Sequence, residues 1–285
     1  MHIEFVLAGG ALVCAGVSDF VYRRAALAGV AAHDLMLVQS SAYGVLVLLF
    51  GIMTHTLQFD HGALWGALAG VFAFTGYYSF ARSVQAGAVS RHAAVFRLNF
   101  VVTAVLAIVF LGETLSLLKL LGMAFALLAA WLLIAARGAT SLAGAPAPRA
   151  ALTRVLIATT AVGIASLIYK IGMRAGSTAA GLLVSQACVV ISLSMLTCLR
   201  QRGHIRPSLR AVPFGLMTAV LLACAFTLLI LALATGEASV IVPMSQMGFV
   251  VTALLGVVFL REPVDRQAVI GFACAMAALA CLAAG

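Results

Sequence analysis

The stretch FVVTAVLAIVFLGE at residues 100–113 returns as FVVTALLGVVFLRE at residues 249–262. Ten of the fourteen letters agree, at a constant offset of 149. The match runs back to Gly87 and Gly236 and to Ser90 and Ser239, and forward to Gly122 and Gly271. Nearer the start of each half the offset becomes 147. There GVSDFVYRRAALAG (16–29) lies over GIASLIYKIGMRAG (163–176), pairing Tyr22 with Tyr169 and Arg23 with Lys170, while Gln39 falls on Gln186. Chance repeats Leu, Val and Ala in such a chain. It does not repeat Gln, Tyr, Thr and Glu in one register. One unit is written twice.

Composition fixes the solvent of that unit. Hydrophobic residues make up 64% of the 285, charged residues 9%, and mean hydropathy is +1.18, far from soluble usage. A hydrocarbon core about 30 Å thick takes roughly 20 apolar residues as helix, and backbone satisfaction excludes loose strands. The pattern predicts an all-α polytopic membrane protein with ten transmembrane helices, in two inverted five-helix repeats. The spans are 3–22, 35–53, 63–84, 89–111 and 115–136, then 155–171, 180–199, 212–235, 238–260 and 268–284. The alternating ten-residue segments of a barrel are not seen. The repeats occupy residues 1–137 and 152–285, joined by an Ala/Gly/Pro-rich linker at 138–151. No basic region precedes the first apolar run, so that run is expected to stay as a helix. All six cysteines fall within spans without a C-x-x-C pair, and read as small apolar residues rather than metal ligands. No cofactor is expected.

Five is odd, so the second unit must enter the bilayer inverted, and the charges agree. Arg23, Arg24, Arg82, Arg91, Arg137, Arg149, Arg154, Arg200, Arg202, Arg206, Arg210, Arg261 and Arg266 fall near one side; Lys119, Lys170 and Arg174 fall near the other. The positive-inside rule makes the first side cytoplasmic and puts both termini outside. The net charge of +9 is then a topology signal, and no basic run with interleaved aromatics suggests nucleic acid. The expected surroundings are a cell membrane (a bacterial inner membrane), with the chain a monomer or homodimer.

Two five-helix repeats, each with a fourth helix ending in FLGE or FLRE and leading into a Gly-bearing fifth, resemble the EamA-type branch of the drug/metabolite transporter superfamily. The YRR and YKI stretches after the first helix of each half are similar to that family's aromatic and lysine positions. The resemblance implies ten helices, a cavity between the halves and alternating access for a small metabolite. The chain departs from the pattern in the loop THTLQFDHG (54–62), often basic in the family, which has no Lys or Arg. Family members are commonly drawn with both termini in the cytoplasm, against the charge bias here.

Candidate site residues are those that cost energy in lipid. Arg97 sits about 12 Å into the fourth span at 1.5 Å per residue, so it faces protein or water, or snorkels to the interface. Ser90, seven residues earlier, is within about 20° of it on a helix. The repeat partners Ser239 and Gln246 share the same face, opposite Gly248, Thr252 and Gly256, whose spacing suits close helix packing. Gln39 and Gln186 keep an amide mid-helix in both halves, which needs a partner helix or a solute. Pro243, beside Ser245 and Gln246, frees the Ser239 carbonyl, a feature of broken helices that line sites and also of simple kinks. Asp19 is either an ion-pair partner of Arg23 or a proton or cation site. Tyr78, with Thr75, is part of a polar and aromatic stripe or of aromatic packing. Tyr22 and Tyr169 complete the cavity set. Glu113 and Glu262 read as structural acids opening the following helices.

Three function classes follow. The leading one is a secondary transporter, an exporter, of a small metabolite such as an amino acid or related carboxylate-bearing solute, which a lone arginine among amides and tyrosines suits. A membrane-embedded enzyme would need a converged acid pair, a zinc set or a Ser/His arrangement, and the six scattered histidines and eight acids supply none. A non-transporting lipid flippase subunit or membrane scaffold stays open.

Overall fold

The computed structural model describes residues 3–85, 96, 98–137, 149–260 and 266–284, and these are helical with short connections and no strand. The helices are α1 (Ile3–Leu27), α2 (Ala32–Met53), α3 (Ala63–Gln85), α4 (Asn99–Leu111), α5 (Leu117–Arg137), α6 (Arg149–Arg174), α7 (Ala179–Arg202), α8 (Ala211–Thr235), α9 (Ala238–Gln246), α10 (Gly248–Leu260) and α11 (Arg266–Ala284). Six stretches are long and apolar enough to cross a membrane: α1, α2, Thr153–Arg174, α7, α8 and Ala238–Phe259. Three shorter apolar stretches accompany them, Asn99–Leu111, Leu117–Ala129 and Val269–Leu282. The chain is a multi-pass, all-helical membrane protein in a two-repeat layout.

Local chemistry repeats with the sequence. The first helix of each half is followed by a glycine in the left-handed region, Gly29 at φ 70° and Gly176 at φ 88°, 147 residues apart. An L side chain there would be strained, which is why both halves write glycine after RAALA and GMRA. Outward faces repeat too. Val109 and Phe110 on α4 and their counterparts Val258 and Phe259 on α10 are each about two-thirds exposed, as lipid-facing side chains must be.

The ninth span is two helices, the broken form of the two that Pro243 left open. α9 ends at Gln246, Met247 has left the helical region (φ −71°, ψ 8°), and α10 starts at Gly248. Pro243 supplies no N–H to the carbonyl four residues earlier, which weakens the turn just before the break. The repeat partner of Met247 is Leu98, which precedes α4 with a similar backbone (φ −67°, ψ −1°). α4 and α10 therefore start at matched positions of the repeat, Asn99 and Gly248. The linker stretch 138–148 and residues 86–95 lie outside the described residues, and α6 begins at Arg149, before the expected start of the second repeat.

The halves interleave rather than sit side by side. α3 packs on α6 and α1 on α8; α2 packs on α8 and α3 on α7; α4 packs on α6 and α1 on α10. Each pair becomes the other when the halves are exchanged, and α2–α7 and α5–α11 are their own images. α2 and α7 run antiparallel: Gly51 meets Ala180, while Gly44 meets Ala187 and Ile191. Small residues make this closeness feasible. A Cβ on Gly66 would lie 2.3 Å from the Leu182 carbonyl oxygen, and one on Gly16 2.3 Å from that of Gly248.

Candidate functional site

Where α1, α3, α6, α8 and α9 converge they leave a pocket that takes in about 470 Å³ together with the open space at its mouth. Its walls are small or aromatic: Ala11, Ala15, Ala73, Ala165 and Ala225 give room, and Tyr77 and Phe226 give flat surface. Its polar groups come from three helices, Tyr77 on α3, Ser166 and Tyr169 on α6, and Ser245 and Gln246 on α9. A second chamber, about 340 Å³ with the open space at its mouth, shares Ala73, Tyr77, Leu222 and Phe226 with the first and adds Gln39, Ser40, Tyr43 and Gln186 from α2 and α7. No charged side chain lines either chamber among the described residues.

An aromatic cluster stands between the chambers. Phe226 is met edge-on by Tyr43, Tyr77 and Tyr169, with centroids 6.1, 6.0 and 6.0 Å away. Edge-to-face pairs of this kind add about 0.5–1.5 kcal/mol each beyond area burial, so the cluster is a rigid wall. Tyr77 and Phe226 are themselves repeat partners, 149 residues apart.

The polar groups are held in specific ways. Tyr22 donates its hydroxyl to Gln39 Oε1 and also approaches Met36 Sδ at 3.7 Å. Tyr43 donates to Gln186 Oε1 at 3.4 Å. Ser245 donates to the Val242 carbonyl at 2.9 Å, and Ser166 to that of Val162 at 3.1 Å. Gln246 Oε1 accepts from Asn99 Nδ2 at 3.3 Å. The Tyr169 hydroxyl is buried on the side of Gln186.

Beyond the cavity, towards the end holding the C-termini of α6 and α8, charged groups from both halves clasp the α8–α9 corner. Glu113 accepts from the backbone N–H of Ala238 at 2.9 Å and of Ser239 at 2.8 Å, capping α9. Lys170 donates to the carbonyls of Leu233 at 2.7 Å and Gly236 at 2.6 Å, closing the C-terminus of α8. Lys119 pairs with Glu237 and donates to the Thr114 carbonyl at 2.9 Å. Each charge meets the helix end of opposite dipole sign, or an opposite charge. Glu113 is thus structural, but the helix it caps is α9 of the other half, not the one that follows it in sequence.

The sequence-based candidates separate into groups. Gln39, Gln186, Tyr169, Ser245 and Gln246 come together on the two chambers, with Tyr22 directly behind Gln39. Tyr78 lies elsewhere. It stacks on Phe74 at 5.4 Å, accepts from Gln201 Nε2 and has the Arg82 guanidinium 5.9 Å from its ring, all towards the basic end. Asp19 is half-buried on α1 and absent from the lining of either chamber. Arg97 and Ser90, like Arg91, His92 and Glu262, lie outside the described residues. Cysteines are not uniformly buried: Cys188 and Cys224 are exposed on the outer surface, while Cys198 is buried and donates to the His33 carbonyl at 3.4 Å. Tyr77, Phe226, Tyr43 and Ser166 were missed, although the Tyr77/Phe226 match at offset 149 was available as a signal.

Comparison with known proteins fits this architecture. A solved crystal structure superposes with a TM-score of 0.80 over 98% of this chain and 95% of its own, at 14% identity, a likeness of fold alone. An uncharacterized protein of Methanocaldococcus jannaschii is 31% identical over 83 residues, 29% of this chain; the chain spans 61% of that relative's length. The EamA-like transporter family model matches residues 2–135 and again residues 150–284, once for each repeat. With both repeats matched in turn, the chain belongs to the EamA-like transporter family.

Proposed function

We propose that this membrane transporter is a secondary transporter of alternating access, with ten spans in two inverted five-helix repeats, and that it moves a small amphipathic metabolite outward. The observation that carries the reading is the pairing around the cavity. Gln39 with Gln186, and Tyr77 with Phe226, are related by the sequence repeat; the amides line the second chamber and the aromatic pair lines both. A site on the axis relating two inverted halves can be served from either side by the same rocking motion. The aromatic wall suits the apolar part of a solute, and the amides and hydroxyls suit its polar part. An amino acid or related carboxylate-bearing solute has both. The basic end, with Arg24, Arg200, Arg202, Arg206 and Arg210, is assigned to the cytoplasm of a bacterial cell, with the chain acting as monomer or homodimer.

The test is flux in proteoliposomes against a panel of amino acids and nucleotides. Wild type should exchange at least one amino acid-like solute, and Ala165→Leu, which narrows the first chamber, should cut that flux about tenfold. Absence of flux for every solute would favour a scaffold or flippase-subunit role instead.

A further inference from the structure

Most hydroxyls lining the two chambers have given their proton to the protein. Ser40 donates to the Leu37 carbonyl at 3.2 Å, Ser166 to that of Val162 at 3.1 Å and Ser245 to that of Val242 at 2.9 Å. Tyr43 donates to Gln186 Oε1 at 3.4 Å, and Tyr169 turns its hydroxyl to the same Gln186. Tyr77 remains. It lines both chambers and is half-buried, where Tyr43 and Tyr169 are 5% and 1% exposed. Among the described residues nothing bonds its hydroxyl. A phenolic O–H in an apolar wall is costly to leave unpaired, so the group is poised for whatever enters the chamber.

The ring, not the hydroxyl, holds Tyr77 in place. It meets Phe96 edge-on at 5.9 Å and Phe226 at 6.0 Å, contacts that a plain phenyl ring makes equally well. The repeat makes the same point, because the partner of Tyr77 at offset 149 is Phe226, which serves the cluster without a hydroxyl. The hydroxyl is therefore an addition in one half only. It stands within electrostatic reach of those of Tyr22, Tyr43 and Tyr169, in the middle of the aromatic cluster.

We propose that Tyr77 is a specificity-determining residue: its hydroxyl donates to a carbonyl or carboxylate oxygen of the solute, while its ring and Phe226 hold the solute's apolar part. This rests on the chambers being the transport site. A phenol shares its oxygen lone pair with the ring and so donates better than it accepts. A site with a donor waiting selects solutes that can accept over those that cannot.

Binding to full-length protein in nanodiscs tests it, with Tyr77→Phe copying the repeat partner. The probes are 3-phenylpropionate, which accepts, and trimethyl-3-phenylpropylammonium, which neither donates nor accepts; both carry a ring for the aromatic wall. Tyr77→Phe removes no charge. It should weaken the carboxylate about tenfold or more and leave the ammonium within about twofold. Its thermal melt should hold or rise, since no bond within the protein is lost. Equal loss for both probes, no loss, or a lower melt would overturn the proposal. Tyr78→Phe is the control, one residue on and facing Gln201 instead; it should change neither probe, and the same selective loss there would also overturn it. Ala165→Leu separates this failure from that of the transport reading. If narrowing the chamber leaves both probes bound as in wild type, the cavity is not the site; if it removes them while Tyr77→Phe keeps the carboxylate, the role of Tyr77 alone fails. Binding of neither probe to wild type overturns the role of Tyr77, and the flux panel then decides the transport reading by itself.

Discussion

Thr103 donates its hydroxyl to the carbonyl of Gly163 at 3.0 Å, and Thr252, 149 residues later, donates to the carbonyl of Gly16 at 2.8 Å. Gly16 and Gly163 are themselves repeat partners. Each bond joins the fourth-span helix of one half to the first helix of the other, so the sequence repeat is also a repeat of contacts across the interface. Both hydroxyls also reach the carbonyl four residues earlier, Asn99 at 3.1 Å and Gly248 at 3.2 Å. Each bond is possible because the opposing residue is glycine and the backbones touch.

These crossings should be unequal in energy to the packing around them. A Cβ on Gly16 would meet the Gly248 oxygen at 2.3 Å, and one on Gly163 the Asn99 oxygen at 2.9 Å, both backbone atoms that cannot turn aside. Gly16→Ala and Gly163→Ala are expected to lower stability by about 1–3 kcal/mol. Thr252→Val and Thr103→Val should cost about 0.6 kcal/mol each, the usual worth of a hydrogen bond between helices in a membrane. Denaturation in detergent would check the order, and equal costs would contradict it.

Glu113 gives a second expectation. Its two oxygens take the backbone N–H groups of Ala238 and Ser239, so Glu113→Ala should destabilise by about 1–2 kcal/mol, as a lost helix cap does. Glu113→Gln keeps one acceptor and should lose about half as much. A melting series of the two variants measures it; Glu113→Gln as harmful as Glu113→Ala would mean that charge matters and the individual bonds do not.

Much of this architecture was legible because repetition is a signal that apolar composition does not blur. The helix ends came out within a few residues for most spans, and the Gly248/Thr252 packing face was readable from spacing four. What was hidden was long-range. Glu113 stands next to Thr114 in sequence, yet its partners are 125 and 126 residues away, across an interface that no local pattern records. Tyr78 and Tyr77 are neighbours in a helix, about 100° apart, so a stripe read one residue out of register selects the ring that meets Gln201 and misses the one that meets Phe226. Pro243 marked the ninth span as broken or kinked, but the residue at which the helix stops, Met247, four positions on, carried no mark of its own.

Arg97 can be tested from its sequence partnership with Gln246. Arg97→Gln copies the repeat partner, so folding and expression should hold. If the guanidinium binds the solute's carboxylate, flux of carboxylate solutes should fall about tenfold or more, since a charge-assisted bond is worth roughly 1.5–3 kcal/mol, while uncharged analogues change little. Arg97→Lys should rescue in part, keeping charge without the two-pronged geometry. Equal loss for both solute types would remove the anion-binding role.

Orientation has its own check. The Arg bias puts the end near Arg24, Arg202 and Arg210 in the cytoplasm and the C-terminus outside, so an alkaline phosphatase fusion at the C-terminus should be active in cells. A silent phosphatase with a fluorescent protein bright at the same position would invert the assignment.

The most direct test of alternating access is the reach of the cavity from each side of the membrane. Ser245 lines the first chamber, and Ser245→Cys in a background with the six native cysteines replaced would report on it. A membrane-impermeant thiol reagent is added to the outside or the inside of reconstituted vesicles of known orientation, with and without a transported solute. Labelling from both sides, slowed by the solute on each, is the result this account predicts. Labelling from one side under every condition would contradict it.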